Sequence, residues 1–400
     1  MSNQIFTDAQ IVVVGAGAVG MSVAYHLARR AMNVVILDKG SVCSETSSAT
    51  FGLVWVQSKV PAYYTRLSLL ASNLWPEVVA ELDEDVEYRR DGGLRLALSE
   101  GELETLGAFV AKQAQVEGLQ IQLLEGAEVR QMEPEAGPNV VGGSFCPQDG
   151  HVNAIAYVNS LARVAARLGA RILSFTPCTG IARDSHGAVS GVETPRGTIR
   201  CRAVVNAAGV WAAQVAWMAN VVVPIIPCRG QILVTEPLPP LVSRPLHILR
   251  QSPLTGVVFT GETSEFVGTD RGTTLSAFRR HALRAIEMVP VLGRARALRM
   301  FSGLRPWPPD GLPFLGPVPR VPGFYVAAGH SGITLSPVYG KVLSEIIIAG
   351  KTDVPIHYYD PSRFDGRDEI AFSRFGETIT LDMRNWPDEA LLARPAATVA

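Results

Sequence analysis

The sequence predicts an α/β chain in which a Rossmann-like domain, broken into several segments, is interleaved with a second α+β domain built on a mixed or antiparallel sheet. Two observations predict it. A βαβ unit with a glycine-rich turn opens the chain, and short β-rich runs split by turn residues occupy its middle, notably Gly230–Thr235 and Gly256–Thr260. Size agrees with both: 400 residues exceed one ordinary domain, and 47% hydrophobic content suffices for two cores.

Ile11-Val12-Val13-Val14 is a buried-strand run. It leads into Gly15-Ala16-Gly17-Ala18-Val19-Gly20 and then into Val23, Ala24, Leu27 and Ala28 at helical spacing. A second β-branched run, Val34–Leu37, ends in Asp38, eighteen residues past Gly20. The residue types suit a dinucleotide. Gly15 permits the turn, Gly17 lets a pyrophosphate approach the backbone, and Gly20 lets the helix pack on the strand. The helix N-terminus faces the phosphates, while Asp38 accepts from ribose hydroxyls. An acid there favours an unphosphorylated ribose, FAD or NAD rather than NADP, and does not choose between those two.

Composition narrows the remaining ligands. With 36 Lys and Arg against 37 Asp and Glu the net charge is −1, so the chain lacks the basic footprint of a nucleic-acid binder and a small molecule is expected. Charged residues make up 18%, below the ~25% usual for globular proteins, which suits a large core or surface hidden in an assembly. Cys43, Cys146, Cys178, Cys201 and Cys228 form no CxxC pair, so neither a disulfide framework nor a zinc or iron–sulfur ligand set is legible. No metal is expected, and a reducing compartment, the cytoplasm, suits this cysteine usage. The first ten residues carry no basic n-region of a secretory signal. The nearest approach to a transmembrane segment, 210–228, contains Gln214, Asn220, Pro224 and Pro227, which argues for core.

The choice between FAD and NAD lies downstream. The run from Gly303 through Arg305-Pro306-Trp307-Pro308-Pro309-Asp310-Gly311 to Gly316 is followed by Phe324-Tyr325-Val326-Ala327-Ala328-Gly329-His330-Ser331-Gly332. In order with Gly15–Gly20, Thr46–Gly52, Asp149–Asn153 and Asn206–Trp211, these stretches resemble the D-amino-acid oxidase-like family of FAD-dependent amine oxidoreductases, which includes glycine oxidase, sarcosine oxidase and amino-acid dehydrogenases. The resemblance covers roughly residues 10 to 350. It implies a glutathione-reductase-like, discontinuous FAD-binding domain over 1–85, 150–215 and 304–365, and a substrate domain over 86–149 and 216–303. Residues 366–400 form a C-terminal extension that reads as tail, although its stretch Ile370–Trp386 is apolar enough to dock on its own domain or on another subunit.

Site residues follow from chemistry and resemblance together. Ser47 and Ser48 suit donation to a pyrophosphate, and Thr50, Phe51 and Gly52 would bring backbone close to a planar ring; a plain small-residue loop is the alternative. The resemblance extends the cofactor site to Ala16, Val19, Lys39, Gly209, Trp211, Gly303, Arg305 and Gly329, and through His330 and Ser331 to Gly332, Ile333 and Thr334. A helix is predicted over Pro337–Ala349, with Ser336 and Pro337 at N-cap and N1 and Gly350 as terminator. Its N-terminus would stabilise negative charge developing on a reduced flavin. Thr334 stands where the family commonly has a second glycine, so a different backbone path is expected there.

Arg305 matches the family arginine that binds the substrate carboxylate, a role suited to a planar fork of donors. A structural ion pair at a domain junction is the alternative. His330 is placed with Arg305 in the catalytic site, although a histidine bonded to backbone beside a glycine turn reads the same way. Trp55, Tyr63 and Tyr64 wall the active site or fill the core. Trp55 and His247 are assigned to the substrate, with Arg250 as a second carboxylate clamp. Some family members attach flavin through a cysteine before the Pro-Asp of the C-terminal motif; Phe301–Pro309 contains none, so FAD is expected to be non-covalent.

The implied activity is oxidation of the C–N bond of an amino acid or secondary-amine acid by hydride transfer to flavin, with hydrolysis of the imine. The segment TSSATFGLVWVQ, 46–57, looks most like the catalytic flavin subunits of heteromeric opine oxidases and D-hydroxyproline dehydrogenases, which implies partner subunits carrying other redox cofactors. The alternatives are a stand-alone glycine, sarcosine or D-amino-acid oxidase using oxygen, and a catalytically silent flavin-binding assembly subunit. An NAD-linked dehydrogenase has no use for the C-terminal motifs.

Overall fold

The structure, a computed structural model, describes residues 8–374, 376–383 and 386–387. Its first layer is a six-stranded sheet in the spatial order Phe314–Pro317, Phe324–Ala328, Ala203–Asn206, Ile11–Val14, Val34–Leu37, Arg171–Leu173. Only the first of these pairs is antiparallel. Successive side chains of a strand face opposite ways, and the opening run IVVV supplies both faces. Ile11 and Val13 join the core under the helices Ala18–Ala28, Ala154–Arg167 and Gly332–Ala349. Val12 and Val14 join the core under a three-stranded antiparallel sheet, Gly180–Arg183, Val189–Thr194 and Gly197–Arg200. Such two-sided burial is why these strands read as unbroken apolar runs.

The second part is antiparallel throughout. One sheet orders Leu249–Gln251, Val257–Thr260, Ile226–Pro237 and Ala297–Trp307; another orders Gly93–Ala97, Gly142–Cys146 and Gln122–Glu125. Leu94, Leu124 and Val140 share one core with Leu246, Val258, Ala285 and Met288, so the two inserted segments fold as one body. The boundaries expected near 215 and 304 fall inside continuous elements. The first falls inside the helix Ala212–Trp217, and the second inside Ala297–Trp307, which pairs with Ile226–Pro237 from Ala297 to Trp307.

The C-terminal extension docks on its own chain. Glu369–Arg374 and Glu377–Asp382 form a hairpin, and Ile370, Phe372, Leu381, Met383 and Trp386 enter the core that holds Val204, Phe314 and Phe324. The expected tail at 388–400 lies outside the described residues. Stretch 210–228 is a short helix, a loop and the start of a strand, not a span. Gly332–Ala349 is long and apolar enough to cross a membrane, but it sits in the core against the first helix, where Ser22 Oγ donates to Ser336 O at 2.6 Å.

Candidate active site

A cavity of about 410 Å3 runs between the two parts, its wall reaching from Gly15, Gly17 and Asp38 to Arg305 and Glu262. At the glycine turn, Gly15 has φ +112°, and a Cβ there would stand 2.4 Å from Ala207 O; a Cβ on Gly20 would stand 1.9 Å from Gly15 O. These two glycines serve strand and helix packing. Gly17 faces the cavity, where Ser47 Oγ accepts from Ala18 N–H at 3.0 Å. The Asp38 carboxylate accepts from Ala16 N–H and Gly40 N–H, both at 2.7 Å, which fixes it at the cavity edge for a ribose. Lys39 Nζ lies 3.5 Å from the centre of the Trp211 ring.

Three buried polar atoms of this wall, Trp55 Nε1, Trp211 Nε1 and Gln214 Oε1, have no hydrogen-bond partner among the described residues. Buried donors and acceptors are rarely left so unless a ligand satisfies them. Together with the glycine turn and Asp38, they fit a bound dinucleotide. Cys178 also lines the cavity, but burial pushes its thiol up to about 11, which makes it a poor nucleophile.

The predicted ring-facing helix begins earlier than the sequence indicates. It runs from Gly332 to Ala349, with Ser331 at the N-cap in a left-handed conformation (φ 65°) and Gly350 ending it (φ 74°). Pro337 therefore sits inside the helix rather than at N1. Lacking an N–H, it leaves Ile333 O free, and Ser336 Oγ donates to that oxygen at 2.9 Å. Thr334 is the staple of this region: its Oγ1 accepts from Trp55 N–H at 3.1 Å and donates to Leu53 O at 3.2 Å. Thr334 thereby ties the loop after Thr46–Ser48 to the helix start.

Arg305 stands at the far end. A Cβ on Gly230, on the neighbouring strand, would lie 2.1 Å from its Nη1, so the guanidinium lies across a position that only glycine leaves open. Nη1 donates to Thr263 O at 2.7 Å. Gly303 plays a similar part for the other wall, since a Cβ there would meet Ala49 O at 2.6 Å.

Of the remaining predicted residues, Val19, Ser47, Thr50, Phe51, Gly209, Trp211, Gly303, Gly329, Ser331, Gly332, Ile333, Thr334, Trp55 and His247 line the cavity. Ala16, Gly20, Ser48 and Gly52 do not. Ser48 Oγ donates to Glu45 O, and Gly52 (φ +75°) gives way to Val152 O. Tyr63 stacks on Tyr358 and Tyr64 is buried, both off the cavity wall. Arg250, expected as a second carboxylate clamp, does not line the cavity: its Nη1 meets His151 Nδ1 at 2.9 Å, and the guanidinium packs over its cross-strand neighbour Phe259. His330 lines the cavity with Nδ1 against Ser331 Oγ at 2.8 Å. Burial, aided by Arg374, Lys59 and Arg305, holds its imidazole well below its ordinary pKa, which makes it a neutral wall and a weak base.

Sequence reasoning missed Lys59 and Glu262. Lys59 Nζ donates to Ser331 Oγ at 2.7 Å, and burial lowers its pKa to about 8. Glu262 enters the cavity beside His247, with Oε2 4.0 Å from His247 Nε2. Behind these, buried Asp149 accepts from Gln57 Nε2 at 2.7 Å and from the backbone N–H groups of Val56 and Gln57, and desolvation pushes it up to about 7.

The glycine turn, Asp38 and the unpartnered polar atoms form a dinucleotide cradle, and the same cavity extends to the Arg305 guanidinium. The chain belongs to the FAD dependent oxidoreductase family, whose model matches residues 10–346. It is 30% identical over 376 residues to an opine oxidase subunit of Rhizobium meliloti, across 90% of this chain and 99% of that one. It is equally 30% identical over 372 residues to the glycine oxidase of Geobacillus kaustophilus (strain HTA426), across 89% and 97%. Its fold superposes on the crystal structure of L-proline dehydrogenase from P. horikoshii with a TM-score of 0.83 at 26% identity, across 90% and 98%. The protein is an FAD-dependent amine or amino-acid oxidoreductase. When bound, FAD supplies the acceptor for the hydride that leaves the carbon beside the substrate nitrogen.

Proposed function

We propose that this chain oxidises the C–N bond of an amino acid or secondary-amine acid of the opine or D-hydroxyproline kind, as the catalytic subunit of a heteromeric dehydrogenase. One observation carries the reading: Arg305, held by Thr263 O and laid across Gly230, faces the same cavity as the dinucleotide cradle. A carboxylate on that fork positions the neighbouring C–N bond, and positioning supplies most of the catalysis such a reaction needs. The name of the Rhizobium meliloti relative, which is that of a subunit, supports the heteromeric form. Electrons would then leave through a partner subunit carrying another redox cofactor. The five free cysteines support a cytoplasmic location, and the absence of cysteine from Phe301–Pro309 supports a flavin that denaturation releases.

The test is the visible spectrum of the purified chain, kept anaerobic, before and after adding glycine, sarcosine, D-amino acids, proline derivatives and opines. Bleaching of the flavin band by an opine or hydroxyproline, with slow reoxidation in air, is the expected result. Rapid reoxidation in air would favour a stand-alone oxidase. A yellow protein that nothing bleaches, even with candidate partners restored, would overturn the assignment in favour of a silent assembly subunit.

A further inference from the structure

The cavity wall holds a charge arrangement that the cofactor does not need. Three carboxylates line it among the described residues: Asp38, Glu45 and Glu262. Asp38 is tied to the glycine turn, and Glu45 lies 3.6 Å from Lys39, so both belong to the nucleotide end. Glu262 alone faces the end where Arg305 stands. Its neighbour Thr263 anchors that arginine through the carbonyl, so the anion sits one residue from the acceptor that holds the cation.

Burying a carboxylate is unfavourable unless a partner compensates it. Here the partner comes from the C-terminal hairpin, which begins at Glu369, beyond the matched span 10–346. Arg374, with 8% of its side chain exposed, places Nη2 3.4 Å from Glu262 Oε1. Its Nε donates to Ser264 Oγ at 2.6 Å, and its guanidinium stacks 4.1 Å from the centre of the Trp307 ring. Glu262 Oε2 accepts no hydrogen bond from the protein among the described residues; His247 Nε2, at 4.0 Å, is beyond hydrogen-bond reach.

We infer that Glu262 Oε2 receives the protonated amine of the substrate and accepts its proton, leaving the neutral amine from which hydride departs, while Arg305 takes the carboxylate and Arg374 is the positioning residue that holds Glu262. The site then reads a zwitterion by its two charges, and simple carboxylic acids are discriminated against. The inference rests on the amine-oxidising reading of the cavity and adds to it the group that recognises nitrogen.

A matched pair of probes tests it: sarcosine and butyrate, which differ by NH₂⁺ against CH₂. Each is titrated anaerobically into the FAD-loaded enzyme, and the dissociation constant is read from the initial perturbation of the visible band, before any reduction. The variants are E262Q, the double variant E262Q/R374M, which removes both members of the Glu262–Arg374 pair together, and R305M. In both Glu262 variants sarcosine should bind on the order of 10- to 100-fold more weakly, while butyrate stays within about threefold, which also reports an intact fold. R305M should lose both probes. Unchanged sarcosine binding in the double variant, or equal weakening of both probes, would overturn the inference and leave Glu262–Arg374 a structural ion pair. A wild type that neither probe perturbs, or an R305M variant that binds butyrate normally, would overturn the parent reading and this one with it.

Discussion

Arg305 reaches its place only because residue 230 has no side chain, so two substitutions on different strands should report on one interaction. Arg305→Met should leave FAD bound and lower kcat/KM by a factor on the order of 10² to 10⁴. Gly230→Ala should mimic it more mildly, by roughly 10- to 100-fold, because the new methyl displaces the guanidinium without removing it. Steady-state kinetics with the flavin content measured alongside decides; unchanged kinetics in the first variant would remove Arg305 from the site. Lys59 gives a pH signature. Burial lowers it to about 8, with Arg374 pushing the same way and Asp149 and Glu262 opposing. It is therefore charged below that pH and neutral above, and carboxylate affinity should fall by on the order of tenfold as pH rises through about 8. Binding titrations between pH 6 and 9.5 should show a decline centred near 8 in the wild type that is absent in Lys59→Met.

At the scale of elements, the helix Gly332–Ala349 shows what sequence reading captures and what it misses. Its end at Gly350 is written locally, as a left-handed residue that only glycine adopts readily. Its start is not: Pro337 looks like an N1 residue, yet Ser336 Oγ satisfies the carbonyl that the proline leaves unpaired, and the helix gains a turn. The same division runs through the site. Gly15, Gly17 and Asp38 are legible because one short βαβ unit brings them together, and Arg305 because a motif surrounds it. Lys59, Glu262 and Arg374 are illegible because they meet only through a sheet, a loop and a hairpin distant in sequence, and each alone resembles a solvated charge. Thr334 tests how far the helix start depends on such remote ties. Thr334→Val keeps the shape but leaves Trp55 N–H without its acceptor, at a cost of ~1–3 kcal/mol. Thermal unfolding should register the loss, and Thr334→Ser should restore most of the stability.

At the scale of the whole molecule, the C-terminal hairpin links the two parts. Its apolar face is sunk in the nucleotide-side core, whereas Arg374 at the end of its first strand meets Glu262, which follows the strand Val257–Thr260 of the second part. Trp307 joins the two contacts, because Nε1 donates to Ser373 O at 3.2 Å while its ring carries Arg374 and edges against His330 at 5.2 Å. Stability and substrate recognition should therefore be coupled through a residue that touches neither cofactor nor substrate. Phe372 is fully buried in that core, and Phe372→Ala should cost ~3–5 kcal/mol by opening a cavity there. If the hairpin loosens as a unit, the same variant should raise KM for the amine substrate through Glu262 while leaving FAD content unchanged, since Asp38 is held by Ala16 and Gly40 of the glycine-turn unit and not by the hairpin. A lowered Tm with KM unaltered would show that the hairpin's docking and its hold on Glu262 are separable. The opposite pattern, raised KM with an unshifted Tm, would place Phe372 itself in the path to the site rather than in the core that supports it.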